Sequence, residues 1–263
     1  MAEPRLAFTR LAGAAGSGSL LVVGPSLGTS VEALWQRTAD LLGDTFEVVG
    51  WDLPGHGRSA AAAEPFSIAD LAEVVRNTAA GLVQGGRQAA YAGVSLAGAV
   101  GLELATDPGV FTAVASVASA ARIGEPSGWH ERAALVRRAG TPVMVSGSAQ
   151  RWFAPGFIER DPTTANRLLH ALSDADSESY AMACDALSSF DLRARLGDVR
   201  VELLVVAGAH DGVVTPELAG TTAAASPGAR LEVLAGCAHL PPAEDPAGTA
   251  QLIREMVKEA AHG

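Results

Sequence analysis

The feature that most restricts how this chain can fold is an alternation of short apolar runs with helix-periodic segments, interrupted once. Residues 20–23, 46–51, 89–93 and 111–117 read as buried strands. Between them, residues 31–42, 68–83 and 96–105 carry apolar side chains at helical spacing, with Ser67 placed as an N-cap for the second helix. Such alternation predicts an α/β fold, a mostly parallel doubly wound sheet with helices on both faces. The rhythm breaks from about Glu125 to Asp191, a stretch of helix-like segments punctuated by Pro126, Pro155-Gly156 and Asp161-Pro162. It resumes at 201–207 and 231–234 and closes with a helix in which Leu252, Ile253, Met256 and Val257 recur at helical spacing. The expected organisation is a core of residues 1–124 and 192–263, with residues 125–191 inserted as a helical cap. That cap would cover the carboxyl ends of the strands, where open parallel sheets place their ligands.

A chain of 263 residues can bury one large core. Its net charge of −10 comes with scattered Lys and Arg and no basic stripe, which argues against a nucleic-acid partner. No apolar run is long enough to span a membrane. Residues 11–23 follow Arg5 and Arg10, yet Gly13, Gly16, Ser17, Gly18 and Ser19 give a hairpin-like interruption instead of the apolar core of an export signal. A cytoplasmic location is therefore the default expectation. Cys184 and Cys237 lack metal-ligand spacing and read as buried free thiols. No metal or other cofactor is expected. The oligomeric state, a homo-oligomer included, is left open.

Chemistry enters at Tyr91-Ala92-Gly93-Val94-Ser95-Leu96-Ala97-Gly98. A strand running into a helix through small residues lifts a serine hydroxyl clear of the sheet and aims the helix's free N–H groups beside it. The usual pattern is G-x-S-x-G; Ala97 stands where the second glycine would be, and a turn serine is the alternative. A hydroxyl needs a base, and His239, in the loop before the last helix, is the leading candidate. His56 competes, but its glycine- and proline-rich surroundings suit a turn pin. His130, His170 and His262 read as surface residues. A base needs a carboxylate to orient it, and Asp211 follows the strand at 201–207, whereas Asp52 lies upstream of the serine. The order Ser95, Asp211, His239 is the one expected for this triad on a doubly wound sheet. Two N–H donors are needed for an oxyanion, and the candidates are Leu96 and Leu27, with Gly28 permitting close approach.

These residues resemble the α/β-hydrolase family and, more narrowly, the 3-oxoadipate enol-lactonases. The resemblance runs through Ser26-Leu27-Gly28-Thr29, Trp51-Asp52-Leu53-Pro54-Gly55-His56-Gly57, Ala121-Arg122-Ile123-Gly124, Trp152-Phe153-Ala154-Pro155-Gly156-Phe157, Phe190-Asp191-Leu192-Arg193 and Ala238-His239-Leu240-Pro241. It implies the α/β-hydrolase fold, Ser95 as nucleophile, Asp211 as orienter, His239 as base, and a small anionic lactone as substrate. The pattern departs at Pro25 and Ala97. The lactone's free carboxylate calls for an arginine, and Arg122, entering the insertion after the strand at 111–117, is expected to point into the cleft, a surface ion pair being the alternative. Trp129 and Trp152 are candidate pocket walls or, equally, cap core. A carboxylesterase or carbon–carbon bond hydrolase with the same triad, and a non-catalytic ligand sensor on the same fold, are the competing readings.

Overall fold

A computed structural model describes residues 4–83 and 85–262. Its strands are β1 (Phe8–Ala12), β2 (Ser19–Gly24), β3 (Phe46–Trp51), β4 (Ala89–Val94), β5 (Phe111–Val117), β6 (Glu202–Gly208) and β7 (Arg230–Leu234). They form one sheet in the order β1-β3-β2-β4-β5-β6-β7, in which only the β1–β3 pair is antiparallel. β3 and β4 are buried at every residue, as expected of parallel strands covered on both faces. β7, at the edge, leaves Leu231 and Val233 exposed.

The glycine-rich stretch before β2 is not a hairpin. β1 and β2 do not pair, because β3 lies between them. Gly13 and Gly18 both take positive φ, and a Cβ at either would overlap the Phe46 or Thr45 carbonyl. The turn is thus pressed against the start of β3, which glycine alone allows. β1 has no alternating apolar pattern in its five residues, so it carries little signal of its own.

Helix Val31–Leu42 packs beside Pro246–Ala260, and Ile68–Leu82 beside Leu96–Thr106. Ser67 caps the Ile68 helix reciprocally with Asp70. Between β5 and β6 the chain forms the helices Pro126–Ala139, Val145–Trp152, Phe157–Arg160, Pro162–Asp174 and Ser177–Ser189. Arg137 ties the first to the last through Glu178 and Asp185. The insertion is seated on the core by hydrogen bonds from Asp176 N to Gly55 O (2.8 Å) and from Ala62 N to Ser179 Oγ (2.9 Å).

The loop carrying Asp52 and His56 organises this seam. Asp52 is buried and accepts from Val31 N (2.7 Å) and Arg58 N (2.9 Å), joining the first long helix to the loop. Burial pushes its carboxyl up, opposed by those two N–H groups. His56 is 1 % exposed, bonds Pro54 O through Nδ1 (2.9 Å) and stacks on Tyr180. It pins a turn.

Burial lowers the His56 pKa to about 4. An unfolded histidine titrates near ~6.5, so as pH falls the unfolded chain gains a proton that the folded chain refuses. Stability is fully present above pH ~6.5 and is lost toward pH ~4, by about 3 kcal/mol at the bottom of that window. Urea unfolding across this range is expected to fall more steeply for the wild type than for His56→Asn. Equal slopes would remove His56 as the source.

Candidate active site

The site begins with a backbone constraint. Ser95 lies between β4 and helix Leu96–Thr106 with φ 56° and ψ −112°, a conformation that costs a non-glycine residue about 1–3 kcal/mol. The neighbours hold it there. Ser95 N donates to Val117 O (2.8 Å), and Ser95 O accepts from Ala99 N (2.9 Å) and Ser119 Oγ (2.7 Å). A Cβ at Gly93 would overlap the Ala97 carbonyl, and one at Gly98 would overlap the Ser119 side chain. Ala97 fits in place of glycine because Gly24 lies opposite: a Cβ there would stand 2.6 Å from Ala97 Cβ and 2.7 Å from Trp51 Nε1. The departure from the usual pattern is thus compensated on β2.

Asp211 follows β6, and its Oδ1 accepts from Val213 N (2.7 Å) and Val214 N (3.0 Å). Its Oδ2 accepts from His239 Nδ1 at 2.8 Å, with both side chains buried. Nδ1 is therefore the donor to the carboxylate, which leaves Nε2 to accept a proton. The His239 loop crosses directly over the end of β6. A Cβ at Gly208 would overlap the Ala238 carbonyl, and His210 N bonds Cys237 O (2.9 Å). The structure thus joins Asp211 to His239 and places Ser95 at the same end of the sheet, but it forms no hydrogen bond from Ser95 Oγ to His239 Nε2 among the described residues.

Glu244 belongs to no motif that would single it out in the sequence. Its carboxylate accepts from Ala238 N (2.8 Å) and Leu240 N (3.3 Å), on either side of His239, and from Ala154 N (2.6 Å) in the insertion. Burial pushes its carboxyl up, while the three N–H groups and His239 oppose that shift. His239 N also donates to Trp152 O (3.1 Å), so the histidine loop and the insertion are tied twice.

Leu96 opens its helix, where an N–H has no intrahelical acceptor. Leu27 lies in a turn closed by Thr29 N to Ser26 O (3.0 Å), with Gly28 at φ +85°. A Cβ at Gly28 would meet Leu172 at 2.6 Å, Tyr180 at 3.3 Å and Trp152 at 3.5 Å, so the insertion closes against this turn and Trp152 faces it. Trp129 instead donates Nε1 to Ile123 O (2.5 Å) at the root of the insertion. Arg122 corrects the expectation. It pairs with Glu125 (2.5 Å) and lines a separate cavity of about 420 Å³ with Arg193, Leu218 and Thr222, none of which belongs to the Ser95 site. The local turn explains this: Ala121 N bonds Thr222 Oγ1 (3.1 Å), and Glu125, three residues on, captures the guanidinium. Cys184 and Cys237 are buried, and burial raises both thiols to about 12. No group of His, Cys, Asp and Glu able to hold a metal ion occurs among the described residues, and no described helix is long and apolar enough to cross a membrane.

Residues 20–252 match the model of the alpha/beta hydrolase family, to which this chain belongs. Its enol-lactonase relatives mark it as an ester-hydrolysing enzyme. It is 37 % identical over 196 residues to 3-oxoadipate enol-lactonase 2 of Acinetobacter baylyi, covering 74 % of this chain and 72 % of that one. It is 26 % identical to the pimeloyl-[acyl-carrier protein] methyl ester esterase of Aliivibrio fischeri, covering 86 % of this chain and 88 % of the other. The crystal structure of the enol-lactonase from Burkholderia xenovorans LB400 superposes with a TM-score of 0.89 at 28 % identity, covering 96 % of each chain.

The Gly24–Ala97 contact is open to a double-mutant cycle. Gly24→Ala is expected to destabilise the protein by about 1–3 kcal/mol through overpacking. Adding Ala97→Gly should recover part of that loss, giving a coupling of about 1 kcal/mol in chemical denaturation. Additive effects would mean that Ala97 does not depend on Gly24.

Proposed function

We propose that this protein is a serine hydrolase that opens the ring of 3-oxoadipate enol-lactone to 3-oxoadipate, as part of aromatic degradation through the β-ketoadipate pathway. The observation that carries the reading is the buried 2.8 Å bond between His239 Nδ1 and Asp211 Oδ2, at the same end of the sheet as a serine held at positive φ. The names of the Acinetobacter and Burkholderia relatives support the choice of substrate.

In this mechanism the Ser95 hydroxyl attacks the lactone carbonyl while His239 Nε2 takes its proton. Asp211 fixes the imidazole tautomer and steadies the imidazolium that forms. The N–H groups of Leu27 and Leu96 receive the developing oxyanion. The ring oxygen leaves as an enolate carbon–oxygen fragment and is protonated from His239. Water, deprotonated by the same imidazole, then attacks the acyl carbonyl; the bond from the acyl carbon to Ser95 Oγ breaks, His239 returns its proton to Oγ, and the diacid leaves. Residues 125–191 serve as a cap over the core of residues 1–124 and 192–263. Ser95 is 6 % exposed beneath it, which limits access of bulk water to the intermediate.

The direct test follows hydrolysis of the enol-lactone spectroscopically beside neutral lactones and esters. Turnover of the neutral compounds with none of the enol-lactone would replace this reading with a general esterase. Ser95→Ala is expected to lower kcat by at least about 10³-fold, and Asp211→Asn by about 10⁴-fold with folding intact. Wild-type rates in either variant would remove that residue from the mechanism.

A further inference from the structure

Three consecutive backbone N–H groups carry His239, and each is held by Glu244 or by the insertion. Pro241 and Pro242 open the short helix Pro241–Glu244 and have no N–H, so the donors available at its start are those of Ala238, His239 and Leu240. Ala238 N and Leu240 N both donate to Glu244 Oε2, at 2.8 and 3.3 Å. His239 N, between them, donates to Trp152 O at 3.1 Å. The second oxygen, Glu244 Oε1, accepts from Ala154 N at 2.6 Å. One carboxylate thus keeps one oxygen on the base loop and the other on the insertion.

The piece of insertion involved is well braced. Phe153 stacks on Phe157 across the Pro155-Gly156 turn, with ring centroids 5.2 Å apart, and meets Trp152 edge to face. The Trp152 ring also lies against the turn that carries the Leu27 N–H, 3.5 Å from where a Cβ on Gly28 would stand. Residues 152–154 therefore touch both sides of the site, the base loop through their backbone and the Leu27 turn through an indole. The three groups bonded to Glu244 are all donors, so a proton on its carboxyl would find no acceptor among them, and the ionised form suits the geometry. Its negative charge stands beside the residues flanking an imidazole whose Nδ1 already meets Asp211.

We infer that Glu244 is a positioning residue for the base: by dividing its two oxygens between the His239 loop and the insertion, it makes the reach of His239 Nε2 toward Ser95 depend on the insertion being seated. The inference rests on the reading of Ser95, Asp211 and His239 as a working triad and adds a residue that acts through the third of them. A displaced insertion is then felt in kcat more than in KM, because misplacing a reacting group by about 1 Å costs up to about 10²-fold in rate.

The test uses 3-oxoadipate enol-lactone and, as a neutral ester independent of the lactone assignment, p-nitrophenyl acetate. Glu244→Ala is expected to lower kcat about ten- to hundredfold on whichever is turned over, with KM changed by less than about threefold. Glu244→Gln keeps the size but loses the charge and turns an amide N–H toward a backbone N–H. Its kcat should fall, and the acid limb of its kcat/KM profile should move to lower pH, because the imidazolium loses a nearby anion. NMR titration of the His239 ring, assigned by its loss in His239→Gln, should move the same way with no substrate present. Ala154→Pro, which deletes only the insertion's donor, should reproduce the fall in kcat while the ring titrates as in the wild type. A lowered melting temperature with kcat and ring titration unchanged would make Glu244 a structural tie and overturn the inference. Should Glu244→Ala fail to fold, Glu244→Gln and Ala154→Pro decide by the same readouts; should neither substrate be turned over, the ring titration decides. Wild-type rates in His239→Gln would sink the triad and this inference together. Loss of activity there, with every Glu244 and Ala154 variant behaving as wild type, would leave the triad standing and remove only the positioning role. Turnover of the ester alone would remove the lactone assignment and leave this inference intact.

Discussion

The crossing of β4 by the helix that follows it is the constraint on which the rest of the site depends. Three pieces of backbone meet there with almost no side-chain volume between them: the end of β4, the first turn of helix Leu96–Thr106, and the exit of β5. Gly93, Gly98 and Gly24 are glycines because a Cβ at each would strike its neighbour. Among the described residues two non-glycine positions take positive φ, and both lie here, Ser95 at 56° and Ala118 at 48°. Ala118 turns the chain so that Ser119 can donate to Ser95 O, so one strained residue supports the other. Strain of this kind persists only where the surroundings over-determine it, and here the bonds from Val117, Ala99 and Ser119 do so. The hydroxyl of Ser95 is set by the frame, with little freedom left to the side chain's own backbone.

The loops at this end of the sheet are organised by buried or half-buried carboxylates that gather backbone N–H groups from separate segments. Asp52 collects Val31 and Arg58; Asp211 collects Val213 and Val214 and then His239; Glu244 collects Ala238, Leu240 and Ala154. Each is an acceptor with more than one lone pair to fill, and a buried carboxylate is tolerated only when donors fill them. The consequence for the site is a division of labour. Asp211 orients the imidazole ring, whereas Glu244 holds the backbone that carries it and joins that backbone to the insertion. Losing Glu244 would strand three N–H groups at once, a cost of about 1–3 kcal/mol for each one left unsatisfied.

How much of this could be read from the sequence divides along physical lines. The parallel strands were legible because burial on both faces demands continuous apolar runs, and helix Ile68–Leu82 because Ser67 and Asp70 form a capping box. β1 was not, since an antiparallel edge strand of five mixed residues needs no such pattern. Asp211 and His239 could be placed because each follows a recognisable strand, and the loop ends of a parallel sheet meet at one edge. Arg122 misled for the same reason: its position after β5 was right, but a side chain's direction depends on whichever partner lies within reach, here Glu125. Glu244 was invisible because its significance comes from a contact with Ala154, far away in the chain.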